Sequence, residues 1–374
     1  MIRRLLLPAL ICVLAFGAFE WKIQHKMVDF EVYRQAATRL THAEELYRDS
    51  DGHWQFKYLP AFAMITAPIA WFTDDAAKTV WFALSIGALV LLLRWSAQFV
   101  PARRRSTNAL IGLTLLFMLK FYVHEVQLGQ VNVVFTLLAV AGIGALQSEL
   151  PVVAGILFVG AVCVKPYAVL LGPWLLVSED RRATVAFAGA LAVALIAPAA
   201  VYGVRGNVTL LWHWWQTLTT TTAPNLLLQD NVSFASAWAK WLGPGKVASA
   251  VAILSGVGSL LLVGDMWRRR ADISEPAYLE VAALLVLMPI LSPQGWDYVL
   301  LLSTPAIALL LDREAELPKP WRTAVWTSVS LLGLVVFDLV GRTIYHAFMM
   351  SSIVTVVAVA LVAALAQVRR QQLA

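Results

Sequence analysis

Residues 152–177 read VVAGILFVGAVCVKPYAVLLGPWLLV, and this run decides the class of fold. A single charged residue, Lys165, interrupts it. A helix needs roughly 20 consecutive apolar residues to cross the hydrocarbon core of a bilayer. The proline that follows the lysine breaks such a helix. We therefore expect two short membrane helices, 152–164 and 167–177, that meet near the outer face of the membrane.

The whole chain has the same apolar character. Of its 374 residues, 60% are hydrophobic and 14% are charged, and its mean hydropathy is +0.71. Soluble domains rarely have this composition, which predicts an all-α polytopic membrane protein. The net charge of +6 does not indicate a nucleic-acid partner, because the arginines lie in short clusters between apolar runs, as in cytoplasmic loops. These clusters are 103–105, 181–182, 268–270 and 369–370.

Apolar runs oriented by these arginines predict about twelve spans, with both termini in the cytoplasm and membrane lipids around the chain. The predicted spans are 5–21, 78–100, 107–124, 128–147, 152–164, 167–177, 183–204, 247–267, 277–292, 298–311, 321–340 and 343–366. The run 58–72 is too short for a span and contains two prolines, so it predicts an interfacial or re-entrant helix. The polar segments 22–77 and 205–245 are predicted to be large outer loops that carry amphipathic juxtamembrane helices.

The chain carries few other signals. Its basic, apolar start resembles a signal peptide, but the residues after it do not resemble a mature soluble start, which favours an uncleaved anchor. No internal repeat or low-complexity linker is evident, so residues 1–374 are predicted to form one domain. Cys12 and Cys163 lie inside apolar runs without metal-ligand spacing, and no phosphate-binding glycine loop is present. These absences argue against a protein driven by ATP in cis.

The predicted topology places a set of polar residues on the outer side. They are Asp29, Tyr33, Tyr58, Glu125, Gln127, Gln130, Asn132, Lys165, Tyr167, Asn231, Ser233, Ser292, Gln294, Trp296, Asp297 and Tyr298. Polar groups at membrane depth are costly, so a one-sided set predicts a cavity that opens outward. An acid, a lysine and amides around such a cavity fit an anionic, lipid-linked substrate. The lysine would hold a phosphate, and the acid would accept a proton from an incoming hydroxyl.

Each of these residues can also have a purely structural role. Asp29 can cap an amphipathic helix that begins at Phe30, and Lys165 can snorkel from a helix end. Further structural roles are hydrogen bonding between helices for Gln130 and Asn132, turn formation for Asn231 and Ser233, and interfacial anchoring for Trp296 and Tyr298.

Six segments in order resemble the landmarks of glycosyltransferase family 87. They are DFEVYRQAA (29–37), LYRDSDGHWQFKYLPAFAMITAPIAWF (46–72), GQVNVVFTLLAVAGIGAL (129–146), AGILFVGAVCVKPYAVLLGPWLLV (154–177), NVSF (231–234) and LSPQGWDYVLLLSTPAI (291–307). The resemblance implies a GT-C fold and a polyprenyl-phosphate-mannose-dependent α-mannosyltransferase of the bacterial inner membrane. Such an enzyme takes its donor from the outer leaflet, inverts the anomeric centre and is expected to need no metal or other cofactor.

The resemblance also implies roles for individual residues. Asp29 matches the general base, and Lys165 matches the lysine near the donor phosphate. Substrate-binding positions are implied or expected at Tyr33, Tyr58, Gln130, Asn132, Tyr167, Asn231, Ser233, Trp296 and Asp297. The family pattern usually has a histidine two residues after the tryptophan of the last landmark, and here Tyr298 occupies that place. Tyrosine can donate a hydrogen bond to the phosphate but carries no positive charge.

The sequence leaves the substrates and the class of activity open. The sugar is mannose by resemblance, but a pentose on the same carrier would need only a reshaped pocket. The acceptor is a glycolipid, a polysaccharide or another envelope molecule. A transporter or flippase for lipid-linked sugars would use similar cavity residues without chemistry, and an assembly subunit would hold only lipid there. The one-sided polar set argues against a transporter, which needs polar residues reachable from both faces.

Overall fold

The computed structural model describes residues 16–178 and 180–372, which are almost entirely helical. Strand-like pairing within these ranges is limited to an isolated bridge between Asn231 and Trp296. The α-helices are α1 Val28–Thr41, α2 Pro60–Thr66, α3 Asp74–Gln98, α4 Thr107–Leu128, α5 Asn132–Gln147, α6 Pro151–Val164, α7 Leu171–Val177, α8 Arg181–Ile196, α9 Ala199–Thr220, α10 Phe234–Leu242, α11 Lys246–Arg268, α12 Ala277–Leu291, α13 Thr304–Arg313, α14 Lys319–Leu334, α15 Phe337–Val340, α16 Arg342–Met350 and α17 Ile353–Gln371.

Among the described residues, four helices are long and apolar enough to cross a membrane, namely α3, α4, α11 and α17. A fifth span is added if α8 and the segment Ala199–Asn225, which meet at 88°, count as one. Several shorter apolar helices, among them α5, α6 and α12, accompany them. The chain is therefore an all-α, membrane-embedded protein. The predicted count of twelve spans and the single domain over 1–374 stay predictions.

The run 152–177 is broken at Lys165, as the sequence predicts. Helix α6 ends at Val164, Lys165 is extended (φ −142°, ψ 115°), and a 3-10 turn over Pro166–Leu170 leads into α7. Proline has no N–H for the helix ladder and excludes the helical conformation from the residue before it. Lys165 therefore lies in the non-helical break between α6 and the turn that leads into α7.

Several of the predicted spans differ from the structure, among them 298–311, which begins as the 3-10 helix Asp297–Ser303 and continues as α13. Helix α8 ends at Ile196 instead of continuing to 204, and α9 begins after Pro198 and is kinked at Gly203, whose φ is 70°. Helix α9 thus fills much of the segment predicted to be the second outer loop. The predicted span 321–340 is divided between α14 and α15, and 343–366 is divided between α16 and α17 at Ser352, which has a left-handed φ of 58°. Most of the predicted span 5–21, with Cys12, lies outside the described residues.

Helix α1 is the amphipathic helix predicted in the first outer loop. Its buried face includes Phe30, Tyr33, Ala37 and Leu40. It packs on α2 and on the 3-10 turn Ala67–Trp71, which together form the short helix predicted for 58–72. The Tyr33 and Phe62 rings pack edge to face, with an interplanar angle of 87° and centroids 5.4 Å apart. This packing fixes the first turn of α1, which carries Asp29.

Candidate active site

One cavity of about 580 Å³ brings together most of the polar residues that the sequence singled out. Its wall is built from the start of α1, the chain before α2, the turn between α4 and α5, the break after α6, the end of α9 and the loop after α12. Of the predicted site residues it contains Asp29, Tyr33, Tyr58, Gln130, Lys165, Tyr167, Trp296, Asp297 and Tyr298. Residues far apart in the sequence therefore share one chamber.

Asp29 lines this cavity and does not cap its helix. Helix α1 begins at Val28, one residue before the acid, and its N-cap, Met27, makes no side-chain cap hydrogen bond. The capping interpretation is therefore wrong. Burial raises the pKa of Asp29, and hydrogen bonding to Gln130 and the charge of Lys165 offset that rise only in part. A carboxylate with a raised pKa in a cavity is better suited to accept a proton than one at the surface.

Lys165, which lies in the break after α6, lines the same cavity. Its side chain is only 9% exposed, so it does not snorkel to a surface. Its Nζ lies 5.9 Å from the centre of the Tyr58 ring, at the outer limit of a cation–π contact. Lys165 thus lines the cavity that also contains Asp29.

A chain of hydrogen bonds orders the wall between these two residues. The hydroxyl groups of Tyr33 and Tyr58 are 2.8 Å apart, and Tyr33 donates to Gln130 Oε1 at 2.9 Å. Gln130 Nε2 donates to the Tyr298 hydroxyl at 3.4 Å. The Tyr298 ring in turn contacts His124, with centroids 5.2 Å apart. Gln130 is thereby held with its amide at the cavity surface.

Asn132 does not line the cavity. It is fully buried at the start of α5, where its Nδ2 donates to Glu125 Oε2 at 2.8 Å. The other Glu125 oxygen accepts from the Val133 backbone N–H at 2.8 Å. These bonds close the turn around Gly129, whose φ of 67° favours glycine. Asn132 therefore lies behind the cavity wall and supports the turn that carries Gln130, and its predicted role in substrate binding stays a prediction.

Asn231 and Ser233 also lie behind the cavity wall. Asn231 Nδ2 donates to the carbonyl oxygen atoms of Asn225 (3.1 Å) and Pro293 (2.9 Å). Ser233 caps α10 by accepting from the Ser236 N–H at 3.0 Å. Both side chains stabilise turns, which is the structural alternative to substrate binding that the sequence analysis gave for them. They join the segment between α9 and α10 to the loop that carries Trp296, Asp297 and Tyr298.

Glycine at position 295 is required for this junction. A Cβ placed there would lie 1.9 Å from the Pro289 carbonyl oxygen, and the Gly295 carbonyl accepts from the Val232 N–H at 2.7 Å. We predict that Gly295→Ala destabilises the protein by roughly 1–3 kcal/mol, the range for overpacking a filled site. Thermal unfolding in detergent checks this value. Gly258→Ala, whose Cβ would meet nothing within 4 Å, is the control, and equal stability of the two variants would contradict the prediction.

The cavity also contains charged residues to which the sequence pattern assigns no role. Lys57, His53, His124 and Asp230 all line it. Lys57 directly precedes Tyr58, and His124 directly precedes Glu125. Their position next to polar residues of the predicted outer set is the sequence feature that could have identified them. Within 16–178 and 180–372, no group of three or more histidine, cysteine or acidic side chains is arranged to hold a metal ion.

The profile of glycosyltransferase family 87 matches residues 56–293. The chain belongs to glycosyltransferase family 87. The match takes in Lys57, Gln130 and Lys165 and stops short of Asp29 and Tyr298 at either side. No curated protein matches the chain. As a family 87 member with several membrane-capable helices, the protein is a membrane-embedded glycosyltransferase.

Proposed function

We propose that the protein is an inverting hexosyltransferase that moves mannose from a polyprenyl phosphate to a hydroxyl of a glycolipid or other envelope acceptor. It would be a GT-C enzyme of about twelve spans in the bacterial inner membrane, with its cavity open to the outer face. One observation carries the proposal. Asp29, in the first turn of α1, and Lys165, at a break between two apolar helices, line the same cavity.

The proposed reaction needs one base and one cation. The Asp29 carboxylate accepts the proton of the acceptor hydroxyl while that oxygen attacks C1 of the sugar. The bond between C1 and the phosphate oxygen breaks, and its electron pair leaves with the polyprenyl phosphate. The transition state has oxocarbenium character, and negative charge grows on the leaving phosphate. Lys165 offsets that charge, and the C1 configuration inverts in a single displacement.

The other cavity residues are assigned to the substrates. Tyr298 is positioned to donate a hydrogen bond to the phosphate in place of the histidine usual in the family. The Tyr167 hydroxyl is buried and has no hydrogen-bond partner among residues 16–178 and 180–372, which leaves it available to a ligand. Tyr33, Tyr58, Gln130, Trp296 and Asp297 complete the sugar-binding wall. Polar groups and aromatic faces together are typical of carbohydrate sites.

The pH dependence of transfer follows from Asp29. Only the ionised form accepts a proton, and burial raises the pKa of this carboxyl above its usual range. We predict that kcat/KM rises with pH through that raised pKa and then levels off. Rates measured from pH 4 to pH 8 check this, with a midpoint above that of an exposed aspartate, about 3.9. A flat profile would contradict a catalytic role for Asp29.

Purified protein in lipid vesicles tests the function directly. Radiolabelled polyprenyl-phosphate mannose and an alkyl mannoside acceptor should give a new α-linked product. GDP-mannose is the control donor and should give none, and polyprenyl-phosphate arabinose tests a pentose donor. Movement of labelled donor across the vesicle membrane without product would instead identify a flippase. Retention of configuration in the product would contradict the single-displacement reaction.

A further inference from the structure

A second lysine, Lys57, lines the cavity and is held by two hydrogen bonds. Its Nζ donates to Gln294 Oε1 at 3.2 Å, and its backbone carbonyl accepts from Trp214 Nε1 at 3.1 Å. The Gln294 amide is fixed in turn, because its Nε2 donates to the hydroxyl groups of Thr221 and Thr222 at 3.0 Å each. Lys57 is therefore an ordered residue of the wall.

Lys57 and Lys165 line the cavity without a direct ion pair, although the carboxyl groups of Asp29, Asp230 and Asp297 line the same cavity. Within 16–178 and 180–372, none of the ion pairs shorter than 4.0 Å involves either lysine. By contrast, Lys78 pairs with Glu31 and Asp74 at 2.8 Å each. Burial lowers the pKa of Lys57, and the charge of Asp29 only partly opposes this. A buried cation without a directly paired carboxylate is costly, and an anionic ligand in contact with it would reduce that cost.

The phosphate changes charge during the proposed reaction. The donor is a phosphodiester with one negative charge. The released polyprenyl phosphate is a monoester, whose second pKa near 6 gives it almost two negative charges at neutral pH. One lysine matches the charge of the donor, and two match the charge of the leaving group. A site with two lysines therefore binds the developing dianion better than the ground state, which accelerates the chemical step.

We propose that Lys57 is a second phosphate-binding residue, which together with Lys165 makes the cavity selective for a phosphate monoester dianion over a phosphodiester. The inference rests on the proposed function for the identity of the leaving group. It assigns to the first outer loop a contact with the phosphate as well as the general base. The neutral amide of Gln294 holds the ammonium group in place without cancelling its charge.

Binding of two short lipid phosphates tests this directly. The probes are farnesyl phosphate and its methyl ester, a monoanionic diester, titrated at pH 8 into wild type, Lys57→Met, Lys57→Arg and Lys26→Met. A charge-assisted contact is worth about 10–100-fold in affinity, so wild type should prefer the monoester by at least about tenfold. Lys57→Met should lose most of that preference and Lys57→Arg should keep it. Lys26 is exposed and outside the cavity wall, so Lys26→Met should behave as wild type.

Wild type alone supplies a second measurement that does not depend on a variant folding. At pH 5 the monoester carries close to one charge, so the preference should shrink towards unity. Equal affinity for the two lipids at pH 8, or a Lys57→Met protein that keeps the preference, would overturn the proposal. Failure of the proposed function appears separately, as wild type that transfers no sugar whatever its phosphate preference.

Discussion

Replacing Asp29 with asparagine is expected to reduce sugar transfer by about 10²–10⁴-fold, the usual range for loss of a general base. Asparagine fills nearly the same volume but cannot accept the hydroxyl proton. Asp29→Ser should lose activity similarly, and α1 should persist in both variants because Met27 occupies its N-cap position. Single-turnover assays with polyprenyl-phosphate mannose separate loss of chemistry from loss of binding.

The neighbouring acid Glu31 supplies a matched control. It lies two residues further along α1, pairs with Lys78 at 2.8 Å and is outside the cavity wall. Glu31→Gln should keep most of the wild-type rate, since an ion pair of this exposure contributes about 0–1 kcal/mol to stability. Near-normal transfer by Asp29→Asn, with Glu31→Gln unchanged, would return Asp29 to a structural role.

The unfolding temperature of Asp29→Asn distinguishes a catalytic residue from a structural one. Because the folded protein raises the pKa of Asp29, the folded state holds its proton more tightly than the unfolded state. Wild type therefore loses stability as the pH rises from the unfolded pKa through the folded pKa. At pH 8 the amide variant should unfold at the same or a higher temperature than wild type.

The sequence predicted the membrane class, the break at Lys165 and the amphipathic α1, because each depends on local patterns. Apolar runs set the class, Pro166 forces the break, and Phe30 and Tyr33 lie on one helical face. The end of α8 was missed because the apolar run passes through Pro198 and Gly203 without a change in hydropathy. A run of apolar residues does not show where the chain turns.

The sequence identified some residues of the candidate site and missed others, because the direction of a side chain depends on neighbours that are distant in the sequence. Asn132 and Gln130 are two residues apart in one turn, yet only the glutamine reaches the cavity, since Glu125 holds the asparagine. Lys57 lies in a loop without periodicity, and its place is set by Trp214 and Gln294, which are 157 and 237 residues further along the chain. No pattern local to Lys57 carries that information.

Lys165→Met is expected to lower kcat/KM for the polyprenyl-phosphate donor by about 10–100-fold, the loss of one charge-assisted contact, with little change in KM for the acceptor. Methionine has nearly the same length and fits an apolar wall, so the break between α6 and α7 should persist. Lys165→Arg keeps the charge and should recover part of the donor affinity, although its planar group suits the site less well. Steady-state kinetics with donor and acceptor varied in turn give the two constants.

The effect of Lys165→Met on the donor constants, compared with its effect on the acceptor constants, decides the role of Lys165. Its burial at the chain break, without a direct ion pair among the described residues, fits an anion-binding site. Equal losses for donor and acceptor would mean that Lys165 shapes the whole cavity. Full activity would remove it from the reaction and leave Lys57 as the cation nearest to the departing phosphate.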